Sequence, residues 1–207
     1  MTQRLVIATT NPHKVEEFRE LLVGVSFTLT SLTELGVRQD VPETGVTFEE
    51  NAVIKARAYA EITGLLTLAD DSGLEIDALD GAPGVNSARW AGPEVPYETR
   101  NRMLVDRLAG LPDERRGARY QCVIAIAAPP PRGLIGVAEG VFEGRIAREP
   151  AGSGGFGYDP IFFVPEQGRT VGQMTAAEKH AISHRALAAR AALPLLERLA
   201  NDDQASR

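Results

Sequence analysis

The stretch "LADDSG", residues 68–73, closes an apolar run (Leu65 to Ala69) with two adjacent carboxylates, Asp70 and Asp71, followed by Ser72 and Gly73. The run reads as a short buried strand, Ser72-Gly73 as a tight turn that leaves room for a ligand, and "LEIDAL", residues 74–79, as the next strand. Neighbouring strand residues point to opposite faces, so only one of the two acids can face a given cleft. Ligands of open α/β sheets bind beyond strand carboxyl ends, which is where this reading puts the pair. Alone, the doublet reads equally well as a solvated turn or as a place for a metal and a water.

Working outward, "RLVIATTNPHKVEEFRELL" begins as a strand at residues 4–8, turns through Thr9 to His13 and enters an amphipathic helix. "FTLTSL" reads as a second strand. "TFEENAVIKARAYAEITG" opens with a capping box, Thr47 to Glu50, and stops at Gly64. After the doublet come a Gly- and Pro-rich loop, "DGAPGVNSARWAGP", and a helix, "YETRNRMLVDRLAG". "ARYQCVIAIAAP" and "GLIGVAEGVFEGRI" read as long strands joined by "PPPRG", hence a hairpin. The glycine-rich "EPAGSGGFGYDP" then feeds the strand "IFFV". Thr175 and Glu178 form another capping box, and Ser183 is placed to cap a last helix that Pro194 should kink or interrupt. Strands interleaved with helices, plus one hairpin, predict α/β with a mixed sheet. One domain, 1–207, is expected, with 201–207 as a frayed tail.

The composition, with 43% hydrophobic and 24% charged residues and a net charge of −6, predicts a soluble globular protein with no nucleic-acid or membrane partner. No run approaches the about 18–20 apolar residues of a membrane span, and no signal-peptide core is evident, so the expected location is cytoplasmic. The one cysteine, Cys122, sits in an apolar run and reads as a buried structural thiol. Only three of the 22 basic residues are lysines: Lys14, Lys55 and Lys179. Lysines kept in an arginine-rich chain suggest places where a compact ammonium with rotatable donors is needed.

Four stretches carry possible chemistry. Residues 5–15 read as a strand–loop–helix whose free N–H groups, Thr9, Thr10, Asn11 and Lys14 suit an anion, although the spacing is not that of a Walker A loop. Glu43, Glu49, Glu50, Asp70 and Asp71 offer hard oxygens for magnesium, which needs only one or two carboxylates beside water and phosphates. In "GSGGFGYDP", Phe156 and Tyr158 present flat faces for a base, and Asp159 can accept from ring N–H groups. In "EKHAISHR", Ser183 should break the helix between His180 and His184, which argues against a paired metal site and puts His184 and Arg185 at a helix start. Each stretch also has an ordinary structural explanation.

Together, "ATTNPHK", "ETGVTFEENAVIKARAYA", "ADDSGLEIDALDGAPGVNSARWAG", "GSGGFGYDPIFF" and "AEKHAISHRALA" resemble the inosine/xanthosine triphosphate pyrophosphatase family, in the family's order and over nearly the whole chain. The resemblance implies a three-layer α/β fold with a mixed elongated sheet flanked by helices, two lobes with a central active-site cleft, and a homodimer. It implies Mg²⁺-dependent hydrolysis of ITP, dITP or XTP to the monophosphate and pyrophosphate, which clears these nucleotides from the pool. By resemblance, Thr9, Thr10, Asn11, Pro12, His13 and Lys14 form the phosphate loop. Asp71 is both magnesium ligand and general base, Glu43 the second ligand, Ser72 a substrate contact, and Lys55 a lysine facing phosphate. Phe156, Gly157, Tyr158, Asp159, Lys179, His184 and Arg185 line the nucleotide and its base. Asp70 is then left a structural part. His13 and Trp90 depart from the family's usual residues, which bears on substrate ranking. Two alternatives are a house-cleaning pyrophosphatase for modified pyrimidine triphosphates and a nucleotide-binding sensor without turnover.

Overall fold

The computed structural model describes residues 3–92 and 94–205, the side chains of 203–205 excepted. Strand β1 (Arg4–Ile7) pairs in parallel with β2 (Thr28–Ser31) and with β3 (Leu66–Ile76). Parallel neighbours need a crossover. Helix α1 (Pro12–Leu21) lies between β1 and β2 in the chain, and α2 (Phe48–Thr63) precedes β3. Leu5, Val6 and Ile7 are all fully buried, as expected of a parallel strand covered on both faces.

The opening stretch folds differently from its sequence reading. Residues 66–76 form one unbroken strand of 11 residues, so the doublet and Ser72-Gly73 lie inside it rather than in a turn between two strands. A second strand at 74–79 does not form, and Asp77–Leu79 is a single 3₁₀ turn. The acids still lie just past a strand end, but it is that of β1, whose Ile7 is in register with Leu68.

Helix α3 (Tyr97–Arg107) is followed by β4 (Gly117–Ala128) and β5 (Gly133–Ile146), neighbouring strands joined through residues 129–132. Strand β6 (Phe162–Val164) continues the sheet antiparallel to β5, and β7 (Arg169–Thr170) pairs antiparallel with β6. The sheet order is β2-β1-β3-β4-β5-β6-β7: mixed, with helices flanking it. The two-residue β7 has too little pattern to be read from sequence.

The chain divides into two compact units. The first comprises the chain up to Asp71, Cys122–Gly140 and the chain from Arg185 onward. Its core joins Leu5, Ile7, Leu66 and Leu68 to Phe18 and Leu22 at α1 and to Ala188, Ala192 and Leu196 of the last helix, α5 (His184–Ala205). The second comprises Ser72–Gln121 and Val141–His184, with a core that includes Leu74, Ile76, Leu104, Tyr120, Phe142 and Phe162.

Pro194 does not interrupt α5. Proline forgoes the bond to the carbonyl four residues back, but Pro194 and Arg190 both lie on the exposed side of the helix. Meanwhile Ala188, Ala189, Ala192, Leu196 and Leu199 hold the opposite side in the core. Residues 201–205, expected in the frayed tail, are helical, and 206–207 lie outside the described residues, as does Pro93 of the Gly- and Pro-rich loop. Helix α4 (Ala176–Ile182) has the expected Thr175–Glu178 capping box, and Ser183 is the extended residue between α4 and α5.

Candidate functional site

The strand period divides the doublet. Leu66 and Leu68, with Asp70 two residues on, share the face of β3 that meets α1 and α5. Thr67, Ala69 and Asp71 share the other.

Asp70 is 1% exposed and accepts from Lys14 Nζ at 2.7 Å, with Arg185 Nε at 3.8 Å and the Cys122 thiol at 4.0 Å. Burial opposes its charge, but Lys14, Arg185 and Lys55 outweigh it and hold its carboxyl well below the usual range. Arg185 also donates to Glu17 of α1, and the two acids keep it more firmly protonated than an ordinary arginine despite its burial. Burial and the Asp70 charge push the Cys122 thiol up to about 12, which makes it the inert structural cysteine expected.

Asp71 faces different groups. It is 6% exposed, accepts from Asn51 Nδ2 at 3.1 Å, and has Lys55 Nζ at 3.5 Å. Lys55 also donates to Glu43 at 2.5 Å, so one ammonium serves both acids. Burial raises the Asp71 pKa, and the like charges of Glu43 and Asp70 add to it against Lys55 and Lys14. A carboxyl so placed is a stronger base than a surface aspartate.

Asn51 and Lys55 stand four residues apart and so share one side of α2. The helix starts where expected: Thr47 caps it, and Glu50 reaches back to the Val46 and Thr47 N–H groups. The segment carrying Glu43 is drawn against this first turn by Gly45, whose N–H donates to Asn51 Oδ1 at 2.8 Å. A Cβ at Gly45 would collide with Glu50 and Asn51, so only glycine permits that approach.

At residues 9–14, Asn11 caps α1 by accepting from the His13 N–H, and Thr9 Oγ1 accepts from the Asn11 N–H. Pro12 occupies the first helical position, where its missing N–H costs nothing. Thr10, Pro12 and His13 are exposed, while Lys14 turns to Asp70.

The second unit builds its own polar centre. Asp159, 2% exposed, accepts from Lys179 Nζ at 2.9 Å, the Phe156 N–H at 2.8 Å and the Tyr120 hydroxyl at 3.2 Å. Gly155, at φ +70°, makes this closure possible, because a Cβ there would strike the Asp159 carboxylate. Lys179 Nζ also lies 4.6 Å from the Phe156 ring centre. The Tyr158 hydroxyl donates to the Ser87 carbonyl, and Asn101 donates to the Gly157 carbonyl. His184 stacks on Tyr120 at 4.6 Å. Ser72 is half-buried in β3.

The sequence profile of the Ham1 family matches residues 5–195, nearly the whole chain. The chain belongs to the Ham1 family. This Ham1 protein is 52% identical over 199 residues to the dITP/XTP pyrophosphatase of Symbiobacterium thermophilum, covering 95% of both chains. It is 50% identical over 196 residues to that of Desulforamulus reducens, covering 95% and 96% of the two chains. Among solved structures it is similar to a HAM1 protein from Coxiella burnetii, with TM-score 0.82, 43% identity and 98% of each chain covered. It is also similar to a nucleoside-triphosphatase, dITP/XTP pyrophosphatase, from Mycobacterium abscessus, with TM-score 0.72, 44% identity, and 93% of this chain and all of that one covered.

Each of the three lysines in this Ham1 protein meets an acid of a quoted motif: Lys14 Asp70, Lys55 Glu43 and Asp71, Lys179 Asp159. Glu43, Lys55 and Asp71 come together within the first unit, as Phe156, Asp159 and Lys179 do within the second. Arg185, expected at the base, has its guanidinium at Glu17 and Asp70. Sequence reasoning did not single out Asn51, Glu17 or Tyr120. For Asn51 there was a signal, its spacing of four from Lys55.

Among the described residues, no three or more His, Cys, Asp or Glu side chains are grouped to hold a metal unaided. Magnesium needs less than that, and two carboxylates drawn to one ammonium are donors of the kind it takes. No helix among the described residues is long and apolar enough to cross a membrane.

Proposed function

We propose that this Ham1 protein hydrolyses non-standard purine nucleoside triphosphates (ITP, dITP and XTP) to the monophosphate and pyrophosphate, with Asp71 as general base. The observation that carries the reading is the setting of Asp71: buried, raised in basicity, and sharing Lys55 with a second acid, Glu43. Relatives about half identical to the chain bear the name dITP/XTP pyrophosphatase, which supports it. Asp71 and Glu43 would hold Mg²⁺. When bound, the ion supplies neutralisation of the charge developing on phosphate oxygens.

The remaining work falls to the protein's own groups. Asp71 orients the attacking water and takes its proton, a contribution of roughly 10²–10⁴-fold. Lys55, Lys14 and the start of α1 attract the triphosphate. Ser72 follows Asp71 in the chain as a substrate contact. Phe156, Gly157 and Tyr158 form the surface for the base, with Lys179 and His184 beside them as donors. A 6-oxo purine accepts from such donors, whereas adenine's 6-amino group leaves one unpaired, a mismatch that a hydrogen-bonding site rejects by roughly 10⁴-fold or more. Asp159 holds this segment closed, and Arg185 fixes Asp70 and α1. A homodimer and a cytoplasmic location complete the proposal.

Incubation with ITP, dITP, XTP, dGTP, ATP and dTTP in Mg²⁺, with pyrophosphate measured, tests it. Release from the first three roughly 10⁴-fold or more faster than from ATP is expected. Preference for dTTP would transfer the reading to pyrimidine triphosphates, and binding without any release would make the protein a sensor.

A further inference from the structure

We propose that Asn51 is a positioning residue that sets Asp71 and the Glu43-bearing segment as one unit, an inference that rests on the pyrophosphatase reading above. Asn51 is completely buried in the first turn of α2, where an uncharged polar side chain needs both ends of its amide satisfied. Both ends are satisfied by groups that matter. The amide NH₂ donates to Asp71 Oδ2 at 3.1 Å, and the amide oxygen accepts from the Gly45 N–H at 2.8 Å.

The orientation of the amide follows from its partners. A backbone N–H can only donate, so the oxygen must face Gly45, and the NH₂ is left for the carboxylate. One planar group therefore spans β3 and the segment two residues past Glu43. Lys55, one turn along α2, then draws Glu43 and Asp71 by charge. Lysine supplies attraction but little direction, because its ammonium rotates on a flexible stem. Asn51 supplies the direction: with Oδ2 engaged, Asp71 presents Oδ1. Gly45 belongs to the same device, since a Cβ there would strike the Asn51 oxygen and push the segment away.

Two substitutions separate these functions. Asn51→Ala removes both bonds, and Asn51→Asp keeps the acceptor for Gly45 but replaces the donor with a third carboxylate facing Asp71. Binding of Mn²⁺, added alone and followed by EPR, is measured for the full-length wild type and both variants, together with kcat for dITP and thermal melting. Partners that orient metal ligands are typically worth 10–100-fold. Asn51→Ala is expected to bind Mn²⁺ and turn over 10–100-fold more weakly. Asn51→Asp is expected to bind Mn²⁺ at least as tightly as wild type, yet to turn over 10–100-fold more slowly. A packing role alone would not produce that split.

Values within threefold of wild type for both folded variants would overturn the proposal, as would unfolding of both or absence of Mn²⁺ binding by the wild type. Absence of pyrophosphate release by the wild type would sink the pyrophosphatase reading instead, leaving the Mn²⁺ comparison to decide the role of Asn51.

Discussion

Replacing Asp70 by Asn should destabilise the protein strongly, whereas the same change at Asp71 should not. Asp70 is 1% exposed and bonded to Lys14 at 2.7 Å, with Arg185 at 3.8 Å. Removing one member of a buried ion pair costs about 3–5 kcal/mol, because the remaining charge keeps its desolvation cost without its partner. Two features favour the lower end. Arg185 keeps Glu17, and the Lys14 side chain is 15% exposed. A loss of about 3 kcal/mol is a large share of the about 5–15 kcal/mol that holds a typical domain. With a slope of about 2–3 kcal/mol/M, the urea midpoint should fall by about 1–1.5 M. Asp71→Asn removes a charge that burial already disfavours, so its urea midpoint should match or exceed that of wild type while turnover is lost and nucleotide binding is retained.

The pH dependence has opposite signs for the two acids. Asp70 has a depressed folded pKa, so its stabilisation is present above the unfolded value of about 4 and is lost as pH falls through the lower folded value. The gap between wild type and Asp70→Asn should therefore be level from pH 8 to 5 and close below about pH 4. Asp71 has a raised folded pKa, so any gain from Asp71→Asn should be largest at neutral pH and shrink on acidification. Urea unfolding of both variants at several pH values checks this. Equal destabilisation by the two substitutions, or a loss under about 1 kcal/mol at Asp70, would refute the division of the doublet.

Cys122, with its thiol pushed up to about 12, should not react with a thiol reagent at pH 8 until urea unfolds the protein; reaction of the native state at the rate of a free thiol would contradict its burial. Pro194→Ala should restore an N–H to the interior of α5 and raise stability by about 1–3 kcal/mol, measured as an increased urea midpoint; a decrease would mean that the helix is built around its proline. Gly155→Ala should drive a Cβ into the Asp159 carboxylate, open the 156–159 segment and raise KM for dITP about tenfold or more; an unchanged KM would separate that closure from base binding.

What could be read from the sequence was local chemistry. Thr47 with Glu50 and Thr175 with Glu178 each satisfy a helix start from within four residues, and both capping boxes form. The unbroken strand through Asp70 and Asp71 could not be read in this way. Two charges inside an apolar strand look like its end, because what neutralises them lies elsewhere in the chain. Lys14 is 56 residues from Asp70, and Asn51 is 20 from Asp71. The same distance hid Glu17, whose partner Arg185 is 168 residues away, and Tyr120, which reaches Asp159 across 39. The strand's two-residue period then does more than choose the side of β3 on which each acid lies. It hands Asp70 to Lys14 of α1 and Arg185 of α5, whose charges outweigh its burial, and Asp71 to Asn51 and Lys55 of α2, where burial and the nearby acids outweigh the lysines. One carboxylate is locked as an anion in the scaffold, and its neighbour is left buried and proton-seeking, which is what a general base requires. Adjacency in the chain is thus how the fold gives two like residues unlike chemistry: moving either acid by one position would exchange its partners as well as its face.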